Sequence, residues 1–179
     1  MHRGFSPFPE LETVRLRLRK VSDMDIPNIL FLRSDPGVNK YIRRQKLKNP
    51  EEVRDFISKI NNDIRGGRCF YWAISFIDSP KLIGVVCLWN FTEDHLDAEL
   101  GYELMPAFQN QGIMGEAVSS VLHFAFEQIA LEKIEAFTDR KNKNSIRLLK
   151  NNGFRQLPKR TDPDNASNII FSLGRNEFK

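Results

Sequence analysis

The sequence predicts an α/β fold on a mixed sheet, and three observations carry that reading. Apolar runs at 69–77 and 82–91 flank the turn Asp78-Ser79-Pro80-Lys81, the pattern of an antiparallel hairpin. A strand at about 96–104, a helix from about 112 to 129 and a strand near 133–138 form a strand-helix-strand unit, which makes parallel neighbours. No repeat, low-complexity segment or long linker interrupts the chain, so residues 1–179 read as one continuous domain.

The other elements follow in chain order. Residues 13–20 alternate apolar and basic as a strand. Ser22 followed by Asp25 resembles a capping box that opens a helix through about Arg33, and Asp35-Pro36-Gly37 ends it. Asn49-Pro50-Glu51-Glu52 sets a cap, an N1 proline and two acids ahead of Val53, Phe56, Ile57, Ile60 and Ile64, an apolar helical stripe stopped by Gly66-Gly67. Ser145 to Asn151 reads as a short helix closed by Gly153, with two last strands near 154–157 and 168–173.

Composition is that of an ordinary globular chain, 41% hydrophobic and 28% charged, and a chain of 179 residues buries roughly 70% of its unfolded surface. The net charge of +4 mildly favours anionic partners such as a nucleotide cofactor. Arg15, Arg17, Arg19 and Lys20 alternate with Val14, Leu16 and Leu18, which reads as a solvated strand face rather than a nucleic-acid stripe. Cys69 and Cys87 sit in apolar runs as small buried hydrophobes, so no disulfide framework is indicated. The opening MHRGFSPFPELET lacks a signal peptide's apolar stretch, and no apolar run approaches the roughly 18 residues of a membrane span; a cytoplasmic protein is expected. The three histidines show no metal-ligand spacing, so no metal is expected.

The most informative stretch is Gln109-Asn110-Gln111-Gly112-Ile113-Met114-Gly115-Glu116, which follows a strand and opens a helix. A helix N-terminus offers free N–H groups and a positive dipole end, and glycines let a pyrophosphate approach the backbone. The stretch lacks the Gly-Lys-Ser/Thr of a P-loop and the first Gly-x-Gly of a dinucleotide fingerprint. Alone it reads sooner as a glycine-containing loop with an ordinary cap.

Downstream stands Asn142-Lys143-Asn144-Ser145, an apolar helix and Gly153-Phe154. Together the two segments resemble the GNAT acyltransferase superfamily, whose Gln/Arg-x-x-Gly-x-Gly/Ala signature looks like Gln109 to Met114. Leu11 to Arg19, Leu82 to Val86 and Ala98 to Tyr102 are similar to strands of the branch that acetylates N-termini of ribosomal proteins, so the resemblance spans about residues 11–173. It implies a single-domain sheet, mostly antiparallel, with two central parallel strands that splay, and helices on both sides. It also implies acetyl-CoA as co-substrate, held at the pyrophosphate by backbone N–H groups from Gln111 to Gly115. Leu104 and Met105 would pair with the pantetheine arm, and Asn142 would hydrogen-bond it. The sequence departs from the signature at Met114, usually Gly or Ala, whose side chain is expected to point away from the phosphates.

The resemblance implies direct transfer to an amine acceptor, with a protein or peptide N-terminus as the form the branch suggests, by a monomer or homodimer. The chemistry needs a neutral amine, a polarised thioester and a proton for the departing thiolate. A cysteine-based ping-pong route is the competing chemistry, but neither Cys69 nor Cys87 has a recognisable base beside it. By resemblance Ser145 supplies the thiolate's proton; read from the residues it equally caps the short helix. Glu99 and Glu103 share one strand face, and either, or water, could accept the amine proton, Glu99 matching the superfamily's acidic position best. A small-amine acetyltransferase and a non-catalytic acetyl-CoA sensor or RNA-docking module remain the alternatives, the first because Arg155 to Asn168 is short for that branch's substrate-covering hairpin.

Overall fold

The structure, a computed structural model, describes residues 7–178. Eight strands form one sheet: β1 (Leu11–Glu12), β2 (Leu16–Lys20), β3 (Phe70–Phe76), β4 (Ser79–Trp89), β5 (Asp97–Leu104), β6 (Lys133–Asp139), β7 (Arg155–Gln156) and β8 (Asn168–Gly174). Their order across the sheet is β1-β2-β3-β4-β5-β6-β8-β7, antiparallel throughout except at β5–β6. Four helices flank it: α1 (Ile26–Ser34), α2 (Pro50–Arg65), α3 (Ile113–His123) and α4 (Lys143–Asn151).

The central strands are buried on both faces, which explains why Phe70 to Ile74 reads as a continuous apolar run rather than an alternation. One face, carrying Trp72, Val86, Leu88 and Leu100, packs on α3 and Leu149 of α4. The other, carrying Tyr71, Ala73, Leu82 and Val85, packs on α1 and α2 through Ile29, Leu32, Val53 and Ile57. The asparagine cap is as expected: Asn49 Oδ1 accepts from the Glu52 N–H at 2.9 Å.

Several boundaries differ from the sequence reading. The strand expected at 13–20 is a hairpin, because the chain turns at Thr13–Arg15 and Leu11 pairs with Leu18. Its basic residues are not uniformly solvated: Arg19 forms a two-pronged pair with Asp25, whose side chain is 1% exposed. The β3–β4 turn is Ile77-Asp78, tighter than expected, since Phe76 already pairs with Ser79. Ser22 and Asp25 bracket a 3-10 turn, Asp23–Asp25, before α1 begins. After α3 the chain widens into a π turn at Phe124–Gln128, where the Phe126 carbonyl accepts from Arg175 Nε at 3.1 Å.

The β5–β6 pairing positions everything that follows. Its rungs are Asp97–Lys133, Ala98–Ile134 and Glu99–Glu135, and both strands run on beyond the last rung without pairing. The sheet therefore splays open at its centre.

Candidate active site

The loop after β5 is shaped by its own side chains. Gln109 Nε2 donates to the Leu104 carbonyl at 2.9 Å, and Gln111 Nε2 to the Ala107 carbonyl at 2.9 Å. Asn110 (φ 60°) and Gly112 (φ 74°) take left-handed backbone, which turns the chain into α3. The first backbone bond into the helix is Glu116 N–H to Gly112 carbonyl at 3.1 Å, so the N–H groups of Ile113, Met114 and Gly115 lie ahead of the helical ladder. Met114 is buried and belongs to the core cluster on this face of the sheet.

A cleft of about 700 Å³ opens beside this helix end. Its walls come from the start of α3, from α4, from β5 and from the Gly37–Ile42 segment. Of the residues singled out in the sequence, Glu103, Leu104, Gln109, Asn110, Gly112 to Gly115, Asn142 and Ser145 line it. Glu99, Met105, Gln111 and Glu116 do not.

Two of those four are committed elsewhere. The Met105 N–H donates to the Ile83 carbonyl and its carbonyl accepts from the Phe108 N–H, both at 3.0 Å, so its N–H is not free to pair with a pantetheine arm. Glu116 turns toward Thr13 and Arg15 rather than into the loop.

Ser145 is the third residue of α4, and the helix cap is Asn142, whose Oδ1 accepts from the Ser145 N–H at 3.1 Å. The cap reading of Ser145 is thus corrected, and Asn142 has spent its side-chain oxygen. The Ser145 hydroxyl is buried and shares a 2.7 Å hydrogen bond with the Tyr102 hydroxyl. Burial pushes the Tyr102 phenol up to about 12, against the opposing effect of that bond, so it holds its proton across the neutral range.

The carboxylates stand on the opposite face of β5 by strand alternation. Glu103 is gripped through both oxygens by Arg44, with Nη2–Oε2 at 2.6 Å, and both side chains are largely buried. Both oxygens of this carboxylate are thus engaged by one guanidinium. Glu99 instead accepts from Asn90 Nδ2 at 2.6 Å and sits on the last rung before the splay. Its pKa is raised, first by burial, while the Asn90 bond lowers it and the nearby Glu135 and Asp162 raise it further. Burial likewise pushes Cys69 and Cys87 up to about 12, so both are thiols at neutral pH. Among the described residues no group of three or more His, Cys, Asp and Glu side chains could hold a metal ion, and no helix is long and apolar enough to cross a membrane.

Sequence reasoning missed Tyr102 and Arg44. The first alternates with Leu100 and Leu104 and reads as core; its place opposite the glutamate face was the available signal. Arg44 lies in a basic loop with no periodicity, and no local pattern points to it.

A family model described as an acetyltransferase (GNAT) domain matches residues 15–155. The uncharacterized N-acetyltransferase YoaA of Bacillus subtilis (strain 168) is 31% identical over 149 residues, 83% of this chain and 84% of that protein. The [ribosomal protein uS5]-alanine N-acetyltransferase of Escherichia coli (strain K12) is 27% identical over 165 residues, 86% of this chain and 81% of that one. Among solved structures, Mycobacterium smegmatis RimJ in complex with CoA-disulfide superposes with a TM-score of 0.83 at 20% identity, covering 99% of this chain and 91% of that one. A helix end open to an anion beside a splayed parallel pair now has a family around it: the chain belongs to the GNAT acetyltransferases and is an acyltransferase.

Proposed function

We propose that the protein transfers the acetyl group of acetyl-CoA directly to a primary amine, and that the acceptor is a protein or peptide N-terminus. The observation that carries this is the division of proton-handling groups between the two faces of β5: Tyr102, bonded to Ser145, on one and Glu99 on the other, at the last rung before the gap. The cofactor's pyrophosphate is held by the N–H groups at the start of α3, and its arm lies in the cleft against Leu104 and Asn142. The acetyl group supplies the electrophile. The amine attacks the thioester carbon, the C–N bond forms and the C–S bond breaks. The amine's proton leaves toward Glu99, directly or through water, and Ser145, backed by Tyr102, protonates the sulfur. No covalent enzyme intermediate is involved, in keeping with two protonated thiols outside the cleft.

The N-terminal acceptor rests on two supports. A relative of similar length is named for the alanine of ribosomal protein uS5. Near pH 7.5 about a third of α-amino groups are already neutral, against about 0.1% of lysines, so an N-terminal acceptor asks least of the site's base. One feature favours a small amine instead: β7 is only two residues, and the chain after it is tied down by Arg160 to Glu135 and by Arg140 to the Ala166 and Ser167 carbonyls, so no long hairpin covers the acceptor side. Thiol release from acetyl-CoA across peptides with different N-termini, polyamines and aminoglycosides tests all of this. Turnover of peptides alone is the expected result; turnover of polyamines alone reassigns the acceptor, and cofactor binding without turnover of any amine makes the protein a sensor.

A further inference from the structure

We infer that the turn between β1 and β2 is part of the cofactor site: Thr13 and Arg15, acting through Glu116, are positioning residues that fix the phosphate cradle. This rests on the reading that the start of α3 holds the pyrophosphate.

Three donors converge on one carboxylate. The Thr13 hydroxyl donates to Glu116 Oε1 at 2.5 Å, the Arg15 N–H to the same oxygen at 3.0 Å, and Arg15 Nε to Oε2 at 2.7 Å. The same guanidinium donates through Nη1 to the Gln111 carbonyl at 3.1 Å, so one side chain spans the loop and the first turn of α3. Its Nη2 lies along the open side of Gly112, 3.5 Å from where a Cβ would stand.

Packing does not hold this turn in place, because Val14 at its tip is 92% exposed. The Leu16 N–H donates to the Thr13 hydroxyl at 2.9 Å and the Ile77 N–H to the Arg15 carbonyl at 3.0 Å, while the Thr13 hydroxyl and the Arg15 guanidinium reach the loop and helix end. That loop needs support, since Asn110 and Gly112 hold left-handed backbone that persists only when the surroundings over-determine it. The clamp also settles a conflict of charge. Glu116 is a carboxylate in the first turn of a helix whose end is to receive a phosphate; Arg15 neutralises it there. Burial would raise the Glu116 pKa, but the hydrogen bonds from Thr13 and Arg15 outweigh it and keep the group ionised.

Arg15→Lys is the decisive variant, because it keeps the charge and cannot bridge Glu116 and Gln111 together. Calorimetry with CoA is expected to show affinity weakened about tenfold, and KM for acetyl-CoA to rise in proportion, with kcat and the acceptor's KM close to wild type. Thr13→Val should move in the same direction by less. Arg17→Lys, whose side chain pairs with Glu12 on the exposed face, should change nothing. A merely structural clamp would lower the melting temperature and leave CoA affinity alone, and that result overturns the proposal. Should Arg15→Lys fail to fold, Thr13→Val, which removes one hydroxyl, decides the matter by the same measure. Wild-type binding of CoA with unchanged affinity in the folded variants sinks the clamp and spares the cofactor reading; no CoA binding by the wild type sinks both.

Discussion

Glu99 is tuned by its place on the last paired rung, where burial disfavours its charge. A raised pKa means that the carboxylate is still partly protonated at pH values where an exposed glutamate is fully ionised. The acid limb of kcat/KM should therefore lie above that of an exposed glutamate, with activity falling as pH drops through it. Glu99→Gln should keep CoA affinity, abolish that limb and depress the neutral-pH rate, with recovery at higher pH following the free amine: a midpoint near roughly 8 for an N-terminal acceptor, well above about 9 for a lysine or polyamine. An unaltered pH-rate profile would reduce Glu99 to a strand carboxylate. On the other face, Asn142 carries the cap, so Ser145→Ala leaves α4 its N-terminal bond. Its rate should fall on the order of a hundredfold with little loss of stability, and Tyr102→Phe should lower it less. Single-turnover kinetics beside a melting curve separates the two effects; wild-type turnover in Ser145→Ala removes the serine from the chemistry.

At the scale of elements, the loop into α3 is shaped by its backbone conformation. Gly112 holds φ 74° with open space at its missing Cβ except for Arg15 Nη2. Gly112→Ala should cost about 1–2 kcal/mol of stability from the left-handed backbone alone. Gly112→Asp adds a carboxylate beside the pyrophosphate and should abolish CoA binding measurable by calorimetry, well beyond the alanine variant. Equal affinities in the two would refute the cradle. This loop was legible in the sequence because glycines before a helix leave a local mark. So was α2, where Asn49, Pro50 and the apolar stripe agree. Other features were not local. The turn at Thr13–Arg15 hides inside a perfect alternation, because it is held by Glu116, roughly a hundred residues on. The π turn after α3 has the same apolar spacing as a continuing helix, and the Arg44–Glu103 pair joins a patternless loop to a strand. The candidate proton-handling groups were half visible: the glutamates by strand alternation and Ser145 by family resemblance, Tyr102 only once two elements had met.

For the whole molecule, the cleft is assembled from β5, α3, α4 and the Gly37–Ile42 segment, which meet only in the folded state. Acetyl-CoA should accordingly bind the folded chain and not the unfolded one. At about a hundred times its dissociation constant this contributes about 2.7 kcal/mol. For a chain of this size that raises the melting temperature by about 5–10 °C. A thermal scan with and without acetyl-CoA checks it, and adenosine alone, which lacks the pyrophosphate and the arm, should do little. No shift at saturating acetyl-CoA would mean that the cleft is not the cofactor's.

The open centre of the sheet has a mechanical consequence. Beyond Glu99 and Glu135, the strands β1–β5 and the strands β6, β8 and β7 are two separate ribbons, joined by three rungs and by the helices that straddle them. Backbone amides along the inner borders of 100–104 and 136–139 that point across the gap have no partner strand to shield them, whereas the outer borders are laced to β4 and β8. In hydrogen–deuterium exchange the free enzyme should show a line of fast-exchanging amides running through the middle of an otherwise slow sheet. A cofactor arm lying in the gap would act as a suture, and the same amides should slow on adding CoA while those at β3–β4 stay as they were. The protein would then be stiffest when loaded, with its two halves free to flex against each other between turnovers.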